Sequence, residues 1–153
     1  MSIFASRTTL TLDIPFDLPH TVTIQKLAGR HLAKAHQAYM AGLFSEVQER
    51  GGAKVQKDMQ QLFGGDAEQT DEEKAEAKTQ IEKVKNDPLN GYDKYTLVQA
   101  GVKAWSYDVK VSPEAIDDLD DDAVTFFATE IMRVTKPALF LSKDEREAER
   151  KND

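Results

Sequence analysis

The chain has no cysteine among its 153 residues. That excludes disulfides and thiolate metal sites, and nothing points to an oxidising compartment. Histidine is scarce, with three residues, so the usual nucleophile–base pairs are hard to build. No apolar run approaches the roughly 18 residues that a membrane span needs, so no membrane partner is expected. The N-terminal stretch MSIFASRTTLTLDI lacks the apolar core of a signal peptide and alternates like a strand. No G-x-S-x-G, H-E-x-x-H, G-x-G-x-x-G or P-loop pattern is present. These absences lead to the expectation of a binding or assembly role, without catalytic residues, cofactor or metal.

What is present suits one soluble domain with appendages. The chain is 40% hydrophobic, enough to bury a sizeable core, and 31% charged. Its net charge is −7, unevenly placed. Residues 1–66 hold 7 basic and 6 acidic side chains, whereas residues 67–153 hold 13 and 21. An acidic second half argues against a nucleic-acid partner, because affinity for phosphates comes from clustered Lys and Arg.

The first half begins with two alternating runs. In residues 8–14, Leu10, Leu12 and Ile14 face one way and Thr9, Thr11 and Asp13 the other. In residues 21–27, Val22 and Ile24 oppose Thr21, Thr23 and Gln25. Pro15 and Pro19 in the intervening PFDLPH forbid a continuous strand, so the pattern predicts an antiparallel hairpin with a six-residue loop. A lone hairpin is marginal in water. It must pack on a helix or gain a strand, and an open edge would be a place for a partner. Residues 28–50 predict the longest helix, with Leu32, Ala35, Tyr39, Met40, Leu43, Phe44 and Val47 as a broad apolar stripe ended by Gly51-Gly52. His31 and His36 lie five apart and diverge on a helix, with His36 on the apolar side, so they read as packed or surface residues and not as ligands. Residues 53–63 predict a short helix. Residues 66–87, rich in Glu, Lys, Ala and Gln, predict a solvated, mobile helix, with Thr70 and Glu73 as a capping box.

The second half opens with a turn at Asp87-Pro88-Leu89-Asn90-Gly91. Asp93 then caps a helix in which Leu97, Val98, Gly101, Val102 and Trp105 face a core, and Gly101 marks close approach of another element. A short extended piece is expected at Val109 to Val111. Ser112 caps the next helix, with Pro113 at its first position and Glu114, Asp117 and Asp118 suiting the helix dipole. A second start falls at Asp120 to Asp122, and Val124, Phe127, Ala128, Ile131 and Val134 share one face up to Pro137. Trp105, Ile116 and Leu119 are expected beside that core. The acidic cluster fails as a calcium loop. Counting from Asp118, Ala123 and Thr129 stand where an EF-hand needs glycine and glutamate. Ser142 predicts a cap for a last charged turn, and residues 143–153 read as a frayed end.

Two stretches resemble a known family. One is Val22-Thr23-Ile24-Gln25-Lys26-Leu27 running into helix-forming residues from Arg30. The other is Ala104-Trp105-Ser106, then Ile116-Asp117-Asp118-Leu119-Asp120, then an amphipathic helix and a charged tail. Together, over residues 8–36 and 97–137, they resemble the tail assembly chaperones of long-tailed bacteriophages. The resemblance implies a mostly helical protein of the host cell cytoplasm that binds the tape-measure protein, keeps its apolar helices soluble and helps recruit tail-tube subunits. It also implies a longer frameshifted form, for which a slippery run at the Lys151-Asn152 codons would be the place. A virion structural protein, such as a head–tail connector or tail-completion protein, is the alternative.

The resulting expectation is an α+β fold, mainly α-helical, with an N-terminal β-hairpin on a bundle of about five helices. Residues 1–137 form the globular domain and residues 138–153 a C-terminal tail. Phe126, off the main stripe, and the apolar run Leu139, Phe140 and Leu141 are the candidate partner-binding residues. Homo-oligomerisation stays open.

Overall fold

A computed structural model describes residues 3–49, 71–72, 74–76, 78–79 and 87–152. The chain is α+β and mainly helical. A three-stranded antiparallel sheet has the order β1-β2-β3, formed by Thr9–Asp13, Thr21–Gln25 and Val102–Trp105. Five helices have complete bounds: α1 Gly29–Glu49, α2 Lys94–Gly101, α3 Pro113–Asp117, α4 Asp121–Thr135 and α5 Lys143–Asn152. Single 3-10 turns lie at Ala5–Arg7 and Pro137–Phe140. The described residues between 71 and 79 are helical, as expected of that charged segment. The expected 53–63 helix, the Gly51-Gly52 stop and the Thr70–Glu73 capping box lie outside the described residues.

The hairpin forms as its alternation predicts. Leu12 pairs with Val22 and Leu10 with Ile24. Val22, Ile24 and Ile14 are fully buried, while Leu10 is half-exposed at the sheet edge. On the opposite face the paired Thr11 and Thr23 hydroxyls hydrogen-bond at 2.9 Å. Both routes to hairpin stability are used: β2 gains a third strand on its far side and packs on α4.

That third strand is a correction to the sequence reading. Val102 to Trp105 was expected to continue the helix, and Val109 to Val111 to be extended. Helix α2 instead stops at Gly101, and Val102 takes an extended conformation. Val22 pairs with Trp105 and Thr23 with Ala104, but Ile24 pairs with Val102. Lys103 is therefore the extra residue of a bulge. The physical reason lies in β2. Val22 and Ile24 are fully buried, and an unpaired backbone edge beside them would cost about 1–3 kcal/mol per orphaned group. Pairing with β3 removes that cost. Residues 109–111 form no strand.

Helix starts follow the sequence closely. Asp93 accepts from Thr96 N at 3.0 Å, Ser112 from Ala115 N at 3.1 Å and Asp120 from Ala123 N at 2.8 Å. Helix α4 buries Val124, Phe127, Ala128, Ile131 and Met132, and the chain leaves it at Lys136, before Pro137. Ile116 is buried, with Leu119 and Trp105 half-buried around it. Lys94 pairs with Asp121 where α2 meets α4. Asp121 is largely exposed there, so the pair contributes at most about 1 kcal/mol and apolar packing holds the crossing. Leu27 N donates to Thr135 Oγ1 at 3.1 Å, tying the end of the hairpin to the end of α4.

His36 is a surface residue, one of the two readings open to it, and its Nδ1–H donates to the Gly91 carbonyl at 2.8 Å. One further expectation is revised: residues 143–152 are a helix and not a frayed end. Ser142 Oγ accepts from Glu145 N at 3.2 Å, and Glu145 accepts from Ser142 N at 2.8 Å, a reciprocal capping box. Acidic residues at the start and Arg150 and Lys151 at the end suit the helix dipole. The cap holds the Glu145 carboxyl below its usual range.

Gly101 is the tightest point. A Cβ there would lie 2.6 Å from Ile131 Cδ1 and 2.8 Å from Cγ1. Gly101→Ala should therefore destabilise the fold by about 1–3 kcal/mol through overpacking. Urea denaturation measures this, and an unchanged midpoint would show that α2 and α4 separate at no cost.

Candidate functional site: an aromatic and acidic cleft

Two loops meet at the end of the sheet. One is the β1–β2 connection, residues 14–20; the other follows β3, residues 106–111. Ser106 joins them to the strands: its N–H donates to Thr21 O at 3.0 Å, and its Oγ accepts from Thr21 N at 2.9 Å. His20 Nδ1 and Ser106 Oγ hydrogen-bond at 2.9 Å. The His20 ring stacks on Tyr107, with centroids 4.2 Å apart and an interplanar angle of 21°. The Tyr107 hydroxyl donates to Asp17 Oδ2 at 2.6 Å. Trp105 meets Tyr107 edge-on at 6.0 Å and gives its indole N–H to the Val109 carbonyl.

These contacts frame a cleft of about 470 Å³. Phe16, Trp105 and Tyr107 supply its aromatic walls, and Asp17, Asp118 and Asp120 its carboxylates. Val109, Ala115, Leu119 and Ala123 complete the lining, which holds no Lys or Arg. Partial burial, with the hydrogen bond and negative charge of Asp17, pushes the Tyr107 phenol up to about 12. The phenol is thus a neutral donor at ordinary pH. A second hollow, of about 340 Å³, shares Trp105, Tyr107 and Val109 with the cleft and is also lined by Lys103, Asp108 and Lys110.

Ser106 and His20 make a hydroxyl–imidazole contact, but a nucleophile–base relay also needs a group that orients the base. The nearby carboxylate, Asp17, is engaged by Tyr107 instead. Among the described residues no group of three His, Asp or Glu side chains is placed to hold a metal ion. His31 is half-buried, and burial together with Arg30, Lys103 and Lys34 holds its pKa below the ordinary value. The acidic cluster is shared out. Asp120 caps α4 and lines the cleft, Asp118 lines the cleft, Asp121 pairs with Lys94, and Asp117 and Asp122 are exposed.

The four candidate partner-binding residues fall in two places. Phe126 is half-buried behind the cleft, edge-on to Phe16 at 5.5 Å and to Phe127 at 5.8 Å. Leu139 lines a separate hollow of about 290 Å³ with Tyr92, Lys136 and Arg146. The Phe140 ring packs against the core under the Arg133 guanidinium, 4.5 Å from its centroid, and Leu141 is half-buried. Phe16, Asp17, His20 and Tyr107 were not picked out from sequence. Their one signal was an aromatic, a carboxylate and a histidine in a proline-bounded loop; the partner loop lies 90 residues away. A further exposed apolar row lies on α1, where Met40, Leu43 and Phe44 are 37%, 41% and 64% exposed. No helix among the described residues is long and apolar enough to cross a membrane.

No family model, curated protein or solved structure matches this chain.

The Tyr107 phenol should titrate near 12 instead of 10, which the ultraviolet difference spectrum against Tyr107→Phe measures. Because the folded value is raised, its contribution to stability is present below pH about 10 and is lost as the pH rises through about 12. Asp17→Asn should move the titration back toward 10. A Tyr107 transition that stays near 12 in that variant would remove Asp17 as a cause.

Proposed function

We propose that this protein is a chaperone of bacteriophage tail assembly, acting in the host cell cytoplasm by protein–protein contact. It holds the apolar helices of the tape-measure protein and helps bring tail-tube subunits to them. The observation that supports the reading best is the α1 row. Met40, Leu43 and Phe44 stand at i, i+3 and i+4, the spacing at which one helix lays its side chains against another. All three are exposed and share one helix face, whereas the other exposed large apolar residues, such as Leu10, Leu18 and Val109, lie at the sheet edge or in loops. Methionine suits such a surface, because its flexible thioether adapts to different partners. The sequence resemblance over residues 8–36 and 97–137 points the same way.

Co-expression with the tape-measure protein of the same gene cluster, followed by size-exclusion chromatography, tests the proposal. The tape-measure protein should become soluble only in the presence of this chain and co-elute with it. Phe44→Glu, at an exposed position, should abolish co-elution while leaving the thermal midpoint of this protein within about 2 °C. No solubilisation, with this protein instead recovered as a ring or in purified virions, would replace the chaperone by a structural component such as a connector or tail-completion protein.

A further inference from the structure

We propose that the cleft beside Trp105 is a binding site for an arginine side chain presented by a partner polypeptide. The site is separate from the α1 row, so it stands or falls independently of the tail-assembly reading. Three carboxylates, Asp17, Asp118 and Asp120, share the cleft, and no basic side chain lines it. The two ion pairs among the described residues, Lys94–Asp121 and Arg133–Glu130, use none of the three. Among the described residues, Asp17 and Asp120 receive only neutral donors, the Tyr107 hydroxyl and the Ala123 N–H. Asp118 engages no other side chain among the described residues. Like charges in a partly apolar cleft repel, and an incoming cation offsets that repulsion.

The walls select the kind of cation. Trp105, Tyr107 and Phe16 offer aromatic surface, and a cation over such a ring gains from its quadrupole. A guanidinium is planar and weakly hydrated, so it stacks on a ring while its fork of N–H groups reaches carboxylates. A lysine ammonium is a compact, strongly hydrated point charge and gives up more water to enter. The rim argues for a polypeptide carrier instead of a free small cation. Phe16 and Val109 are 56% and 62% exposed at its mouth, apolar area that one guanidinium does not cover but the residues flanking it would.

Trp105 is the only tryptophan, so its emission reports on the cleft directly. The full chain is titrated at low salt with acetyl-Gly-Leu-Arg-Leu-Gly-amide, and with the same peptide carrying citrulline, the neutral isostere, in place of arginine. The arginine peptide should give a saturable change and bind about tenfold tighter than the citrulline peptide. Asp118→Asn, at an exposed position, should weaken the arginine peptide by about two- to fivefold and leave the citrulline peptide unchanged. Equal affinity for the two peptides would overturn the proposal, as would no saturable change with either or an Asp118→Asn variant that binds arginine as before. A tape-measure protein that stays insoluble, with these titrations positive, would sink the tail-assembly reading alone.

Discussion

Helix α2 crosses α4 where Gly101 meets Ile131, and much of the structure depends on how closely that crossing closes. With Ile131 Cδ1 2.6 Å from where a Cβ would stand, only hydrogen fits at position 101. The contact lets Leu97 and Val98 join Val124, Phe127 and Ala128 in one core. Even the full cost of glycine inside a helix, about 0.5–1 kcal/mol relative to alanine, is small beside burial of several aliphatic side chains at about 1.5–3 kcal/mol each. Packing decides the residue here, and helix propensity does not.

The next residues turn that crossing into a sheet. Leaving α2 at Gly101, the chain lies beside β2 as β3 and completes it. The exit of β3 then places Ser106 and Tyr107 over the loop that carries Asp17 and His20. The cleft is therefore built on the ends of strands and not within the core. Its polar contacts are each worth about 0.5–1.5 kcal/mol, and several are solvent-exposed. Contacts of this kind, at the solvent-facing ends of strands, open locally at lower cost than packing between buried helices. The α1 row differs in kind: it lies on one helix face, with Phe44 more exposed than the aromatic residues packed around α4.

The caps at Asp93, Ser112 and Asp120 and the stop before Pro137 were all legible in the residues, because each is a local rule acting within one turn of helix; Gly101 on an apolar face signalled a close approach without naming Ile131 as its partner. The β1–β2 alternation was legible for the same reason. Val102 to Trp105 misled, since Leu97, Val98, Gly101, Val102 and Trp105 fit a helical face as well as they fit a helix followed by a strand. The choice between them is made by the backbone edge of β2, roughly 80 residues earlier. The C-terminal segment misled in the opposite way. Its lack of apolar residues suggested fraying, yet the Ser142–Glu145 capping box and the charge order along α5 suffice for a helix. Of the cleft, Trp105 and the acidic cluster stood out; Phe16, Asp17, His20 and Tyr107 did not.

By itself, then, the sequence determined where most helices begin, which faces are apolar, that the fold is mainly helical with a hairpin, and that its second half is acidic. Those properties depend on neighbours three or four residues away along a helix, or two along a strand. The tertiary structure alone decided that β3 completes the sheet, that Asp17 meets Tyr107 across 90 residues, that Phe126 backs the cleft wall, and that the α1 row stays exposed. These depend on which segments meet in space, and segments far apart in the chain meet only once the core between them has packed.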